Sequence, residues 1–254
     1  MTLSGAVSFV YEVLWTRLLG QVLGGSTAAF ASMLASFLLG IALGSAIASR
    51  FARTRESAAL GFAVVQLGIG VLAWLAFRAA DFLPMLADAV GASPSAPASG
   101  AAAAGVILLP LTLCIGATFP FGVRLLARGA DEAASVSGRV YAWNTVGSIL
   151  GAIAAGFVLL PWLGLENTAL VGVVVSLALS VVAAWLATPH RRTVVASIAA
   201  AGLVAALVVG LPTPMNLLLH SAISGKRIHG ELYYLGVGRS ATVTVVEGPM
   251  GWRC

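Results

Sequence analysis

Charge is what this chain has least of. Only 9% of its 254 residues are Asp, Glu, Lys or Arg, and its mean hydropathy is +1.00. That leaves too little polar surface to cover a water-soluble domain, so the chain reads as a multi-spanning membrane protein. Regular polar–apolar alternation is also missing from the long Gly-, Ala-, Leu- and Val-rich runs, which favours a helical bundle over a barrel. Cysteine is nearly absent. Cys114 sits inside an apolar run and Cys254 is the last residue, so neither a disulfide framework nor a thiolate metal site is supported, and the redox compartment stays open. There is no Gly-rich phosphate loop in a strand-to-helix setting, no zinc spacing and no nucleophile beside a base. His190, His220 and His229 read as solvated side chains, so no catalytic or metal-binding residue is assigned. A cleavable leader is not evident either. The first apolar run carries Glu12 and Arg17 and lacks a basic leader and a cleavage site, so it reads as a spanning helix that a few upstream residues would complete.

Seven stretches are long and apolar enough to cross a bilayer, at about 3-24, 28-49, 58-78, 101-123, 143-162, 167-187 and 193-211. The formal charge of +5 does not point to nucleic acid, because eight of the fourteen basic residues gather in or beside three short loops. These hold Arg50, Arg53 and Arg55; Arg124, Arg128 and Arg139; and His190, Arg191 and Arg192. The positive-inside rule puts them in the cytoplasm. The alternate loops are poor in basic residues and carry Asp81, Asp88 and Glu166, with Arg78 at one edge, so they belong outside. Residues 91-100, rich in small residues and proline, read as a flexible outer linker. That linker divides the first three helices from the next three and raises an inverted repeat as one arrangement. Arg17-Leu-Leu echoes Arg124-Leu-Leu, and Gly40-x-x-x-Gly44 echoes Gly147-x-x-x-Gly151; small residues at this spacing also serve generally as helix-packing positions.

Within this frame, Glu12 and Arg17 are the residues to account for. Charges inside a membrane helix cost several kcal/mol unless they face protein or water. Five residues apart, the two lie about 140° apart around a helix, so their partners are expected elsewhere in the chain. They form either a buried site for a charged solute or a structural feature, with Arg17 alternatively reaching the interface. Tyr11 and Trp15 either line the same site or act as packing and anchoring aromatics. Asn144, Thr145 and Ser148 lie beside Gly147 and Gly151, where Asn144 bonds across a close helix contact or touches a ligand. Pro110 and Pro120 favour kinks that could open a cavity near Gly116-Ala-Thr-Phe-Pro120.

Beyond Pro212 the composition changes. Residues 213-254 hold two histidines and six charged residues, and Ala241-Thr-Val-Thr-Val-Val246 is β-branched. With Glu231-Leu-Tyr-Tyr234 before it, this predicts the opening hairpin of a soluble domain. A lone hairpin is marginal in water, so either further chain completes it or the tail docks elsewhere.

Several stretches together resemble a known family. They are Ser4-Gly5-Ala6, Tyr11 to Leu19, Phe37 to Ser45, Gly116 to Pro120, Tyr141 to Gly151, and Leu232-Tyr-Tyr to Val246. They resemble the bacterial membrane-embedded spermidine synthase-like proteins, in which a major-facilitator-like helix bundle precedes a polyamine aminopropyltransferase domain. The resemblance implies a membrane domain over 1-211, and a linker with the start of the synthase's β-domain over 212-254. It also implies aminopropyl transfer from decarboxylated S-adenosylmethionine to putrescine in a Rossmann-like domain downstream. The cofactor loop and acidic catalytic residues of that domain have no counterpart before Cys254, so this chain carries no cofactor and no carried-over catalytic residue.

The resulting expectation is an all-α polytopic bundle of about seven transmembrane helices in a bacterial inner membrane, followed by a short β-hairpin that begins a truncated domain. It anchors the synthase domain and offers a small charged solute or polyamine a site at Glu12, Arg17, Tyr11, Trp15, Asn144 and Arg124. The alternative is a transporter-like protein without enzymatic activity. Seven spans and three inner loops would put residues 213-254 outside, in tension with an enzyme fed from the cytoplasm.

Overall fold

The computed structural model describes residues 1-23, 27-89, 91, 97-187, 189-221, 226-227, 231-238, 242-248 and 251-253. Outside the described residues lie linker positions 92-96, His229 and Cys254, together with the side chains of His190, Arg191, Arg192 and His220.

Seven long helices overlap the seven apolar stretches: α1 (Thr2–Leu23), α2 (Thr27–Ser49), α3 (Arg55–Arg78), α5 (Pro97–Leu126), α6 (Ala130–Ala154), α7 (Leu160–Ala184) and α8 (Pro189–Val209), with α6 starting thirteen residues before the expected 143-162 and ending eight before that stretch ends. Short helices α4 (Leu83–Ala89) and α9 (Met215–Leu218) follow α3 and α8. Among the described residues, three helical stretches are clearly long and apolar enough to cross a membrane, rather than seven: Arg55–Arg78, Gly105–Leu126 and Asp131–Ala184. In α1 the polar groups Glu12, Arg17 and Gln21 interrupt the apolar run; α2 and α8 run 23 and 21 residues, with Met33–Ser49 and Thr193–Val209 as their described apolar parts. The third stretch runs 54 residues, about 81 Å at 1.5 Å each, and takes in both the fifth and sixth predicted spans.

The expected loop at 163-166 is a sharper feature than a loop. After α6 comes one π-helical stretch, Ala155–Leu159, and then Gly164 at φ 77° and ψ −174°, where the helical path breaks. That backbone region is essentially restricted to glycine. The chain reverses there, because α6 runs alongside α1 in the same direction while α7 runs antiparallel to α3.

The directions follow from the contacts. Gly40 of α2 meets Leu109 and Thr112 of α5, and Gly44 meets Leu113. Gly147 of α6 meets Thr2 of α1, and Gly151 meets Ala6. At all four positions a methyl group would run into the neighbouring helix, so these backbones touch as small residues allow in membrane bundles. The same separation of 107 residues relates Gly40 to Gly147, Gly44 to Gly151, Leu109 to Thr2 and Leu113 to Ala6. In the third pair, Ser180 of α7 donates to the Ala63 carbonyl of α3 at 2.7 Å, while Gly70 packs on Val173 and Leu177. Residue numbers rise on one helix as they fall on the other, the pattern expected if a two-fold axis passes between α3 and α7.

Tyr11, Leu14, Trp15, Leu18 and Leu19 of α1 are each about 1% exposed and sit in the main core, with Phe77, Leu111, Leu160 and Leu177 around them. Outward faces are as apolar as the core. Leu38, Leu39, Leu43 and Ile47 on α2, Ile149, Leu150 and Ile153 on α6, and Phe157 in the π-helical stretch after it are all exposed. In water such faces would drive association; against lipid they are at home.

The predicted C-terminal hairpin is present. Strands β1 (His220–Ser221) and β2 (Lys226–Arg227) pair with each other. Strands β3 (Glu231–Val237) and β4 (Thr242–Gly248) pair antiparallel with a bulge between Leu232 and Tyr234, and β5 (Gly251–Arg253) extends the sheet. Leu217 and Leu218 of α9 belong to the bundle core, and Leu235 and Val237 of β3 pack against it. The hairpin is therefore not left as an isolated element in solvent.

Candidate functional site

The residues marked out by the sequence are distributed along α1 and its neighbours. Tyr11 presses its ring on Gly172 of α7, and its hydroxyl neighbours Ser176 without hydrogen-bond geometry. Neither that hydroxyl nor the Trp15 indole nitrogen has a hydrogen-bond partner among the described residues. Both aromatics sit in the core, in line with the packing alternative for them, and Trp15 also borders the crevice beside Glu12.

Glu12 is half-buried and lines a crevice with Trp15, Thr16, Phe30, Met33 and Phe37. No described residue donates to its carboxylate. The crevice holds about 10 Å³, at the threshold for a single water. As folded it is too small for a solute.

Arg17 does find its partner elsewhere in the chain. Its Nη1 donates to the carbonyl oxygen of Gly238, just past the end of β3. A second tie joins the same two regions: Asp81 Oδ1, after α3, accepts the backbone N–H of Asn216 at 2.9 Å and lies 3.4 Å from that of Leu217. Two otherwise unsatisfied donors at the start of α9 are thereby capped by a carboxylate, which also suits the positive end of the peptide dipoles.

Asn144 does not join this group. Its side-chain oxygen lies against Gly5, where a methyl carbon would come within 2.8 Å, and its carbonyl accepts the Ser148 hydroxyl at 2.9 Å. Twelve residues of α1 separate Gly5 from Arg17, about 18 Å along the helix. Arg124 is farther still, at the other end of the bundle, where it donates to the carbonyls of Arg53 at 3.1 Å and Ala127 at 3.3 Å. The sequence grouping of Glu12, Arg17, Asn144 and Arg124 into one site is therefore corrected. They occupy separate places, because side chains on one helix point in different directions and those on different helices sit at different depths.

Proline in α5 gives a mixed outcome. Gly116 is closed off by the backbone of Ile41, so no cavity opens there. One of 560 Å³ does lie beside Phe119 and Pro120, at the arginine-bearing end.

Two polar links escaped the sequence reading. Gln66 Nε2 of α3 donates to Ser4 Oγ of α1 at 2.9 Å, fully buried, and Ser180 ties α7 to α3. Gln66 had a legible signal, as the one amide within its apolar run; Ser4 and Ser180 had none, because hydroxyls are common in membrane helices. Arg78 lies over the Trp74 ring at 4.9 Å from its centroid, a cation–π contact one helical turn apart.

The balance of charge differs between the two ends. Arg50, Arg53, Arg55, Arg124, Arg128 and Arg139 outnumber Glu56, Asp131 and Glu132 at one end, and Asp81, Asp88 and Glu166 lie with Arg78 at the other, where the C-terminal strands also dock. Comparison with known proteins adds no assignment: no family model, curated protein or solved structure matches the chain.

Proposed function

We propose that this chain is a seven-span membrane bundle in the bacterial inner membrane that anchors the opening strands of an appended domain at its arginine-poor end, as in the spermidine synthase-like fusions it resembles. The observation that carries the reading is the clasp made by Arg17 on the Gly238 carbonyl and Asp81 on the start of α9. An arginine inside an apolar helix is costly, and here the cost is offset by gripping a segment more than two hundred residues away. Three of the seven helices, α1, α2 and α8, are counted as spans by length and position, and the 54-residue stretch has room for two passes. Aminopropyl transfer belongs to the resemblance and to a domain downstream, with no residue here assigned to it.

The test is limited proteolysis of the native reading frame in membranes, comparing wild type with an Arg17→Met, Asp81→Ala double variant. Membrane integration is expected to be unchanged. Cleavage after Pro212 is expected to quicken about tenfold, because losing a cap and a charge-assisted bond costs on the order of 1–2 kcal/mol of local docking. Equal cleavage in both would reject the clasp. Reading the source DNA past the Cys254 codon then decides whether a Gly-rich Rossmann domain follows.

A second reading, solute transport, draws on Glu12, whose carboxylate has no partner among the described residues. It requires α1 and α2 to part, since the crevice there is closed. Loss of solute uptake in Glu12→Gln with normal insertion would favour it over anchoring alone.

A further inference from the structure

At the arginine-bearing end, a groove of 780 Å³ opens between the N-terminal end of α1, the end of α5 and the first half of α6. Its volume falls within the ~300–1,000 Å³ typical of small-molecule sites. Its walls include Leu126, Arg128, Glu132, Arg139, Val140 and Trp143. Neither Arg128 nor Arg139 has a side-chain hydrogen bond or ion pair among the described residues. Glu132 is engaged locally, its Oε2 accepting the Arg128 backbone N–H at 3.1 Å. Arg124, the neighbouring cation, is occupied by backbone carbonyls.

The position of the groove matters as much as its charge. The apolar run of α6 begins near Trp143, while α6 itself starts at Ala130, so its first turns project beyond the hydrocarbon and carry Asp131, Glu132 and Arg139. Trp143 and Leu126 are 59% and 61% exposed. An exposed tryptophan and leucine beside two arginines, where apolar helix meets polar helix, form a surface with an oily wall and a cationic rim. A soluble anion would use only the rim. An amphiphile uses both.

We infer that this groove binds the headgroup of an anionic phospholipid, with the phosphate at Arg128 and Arg139 and the upper acyl chain against Leu126 and Trp143. Guanidinium groups suit phosphate oxygens because their N–H donors form a planar fork. Basic pockets on the positive face of membrane bundles are where such headgroups are held. The inference rests on reading these helices as membrane spans.

The test uses the detergent-purified full chain, titrated with dioctanoyl-phosphatidylglycerol, dioctanoyl-phosphatidylcholine or inorganic phosphate, with thermal unfolding as the readout. The anionic phosphatidylglycerol is expected to raise the midpoint with dose, and the other two to leave it in place. Arg128→Gln with Arg139→Gln is expected to weaken the apparent affinity about 25-fold, at roughly fivefold per arginine. Arg128→Lys with Arg139→Lys retains most binding, and Arg55→Gln, at the same end but outside the groove, retains all of it. An equal response to phosphatidylcholine, an equal response to inorganic phosphate, or an unchanged affinity in the double Gln variant each overturns the site. Alkaline extraction of native membranes separates this from failure of the membrane reading: a chain that stays in the pellet yet shows no lipid preference loses only the lipid site.

Discussion

At the scale of single residues, the same amino acid does opposite things depending on what lies across from it. Gly44 touches the backbone of α5, whereas Gly20 has nothing within 4 Å of where a methyl group would stand. Gly44→Ala is therefore expected to destabilise by about 1–3 kcal/mol, since two packed backbones must separate. Gly20→Ala is expected to be neutral or to stabilise by up to about 1 kcal/mol through helix propensity. Thermal unfolding of the two variants in one detergent checks the contrast; equal shifts would mean that α2 and α5 do not meet as described. Arg17 and Glu12 show the same dependence on surroundings. Both interrupt one apolar helix, yet Arg17 holds a carbonyl and Glu12 faces a closed crevice.

At the scale of elements, the reversal between α6 and α7 turns on one glycine. A side chain at φ 77° and ψ −174° meets steric strain on the order of 1–3 kcal/mol. Gly164→Ala is thus expected to lower the unfolding midpoint, and Asn167→Ala, an exposed neighbour, to lower it far less. A midpoint unmoved by Gly164→Ala would place the bend elsewhere. The start of α3 is fixed by a different device: Thr54 Oγ1 accepts the Ser57 N–H at 3.1 Å and Ser57 Oγ accepts the Thr54 N–H at 3.0 Å. That box ends the arginine-bearing loop sharply and sets where the third helix enters the bundle.

At the scale of the whole molecule, the constant 107-residue separation ties α1 with α6 and α2 with α5 in matching registers. An odd number of helices per unit inverts the second unit relative to the first, which is why Arg17 and Arg124, equivalent in sequence, sit at opposite ends. The two ends differ in charge, so the bundle should lie in the membrane with a fixed orientation. Single cysteines placed at Arg55 and at Asp88, in a chain with Cys114 and Cys254 replaced, are expected to react with an impermeant thiol reagent from opposite sides, Asp88 from outside. Labelling of both from one side would refute the topology.

The sequence by itself determined that the chain is apolar and helical, roughly where most of the long helices lie, which end carries the arginines and where the strand-forming tail begins. Those properties are local: hydropathy, residue spacing and β-branching act over a few turns of chain. Tertiary structure alone decided that Tyr11 and Trp15 are packing, that Asn144 and Arg124 stand apart from Arg17, and that Asp81 caps a helix more than a hundred residues away. It also brought Arg128, Arg139 and Trp143 to one groove. Such partnerships depend on how each helix is rotated and how deeply it is set against its neighbours. Close packing of small residues fixes both, and no single stretch of sequence specifies either.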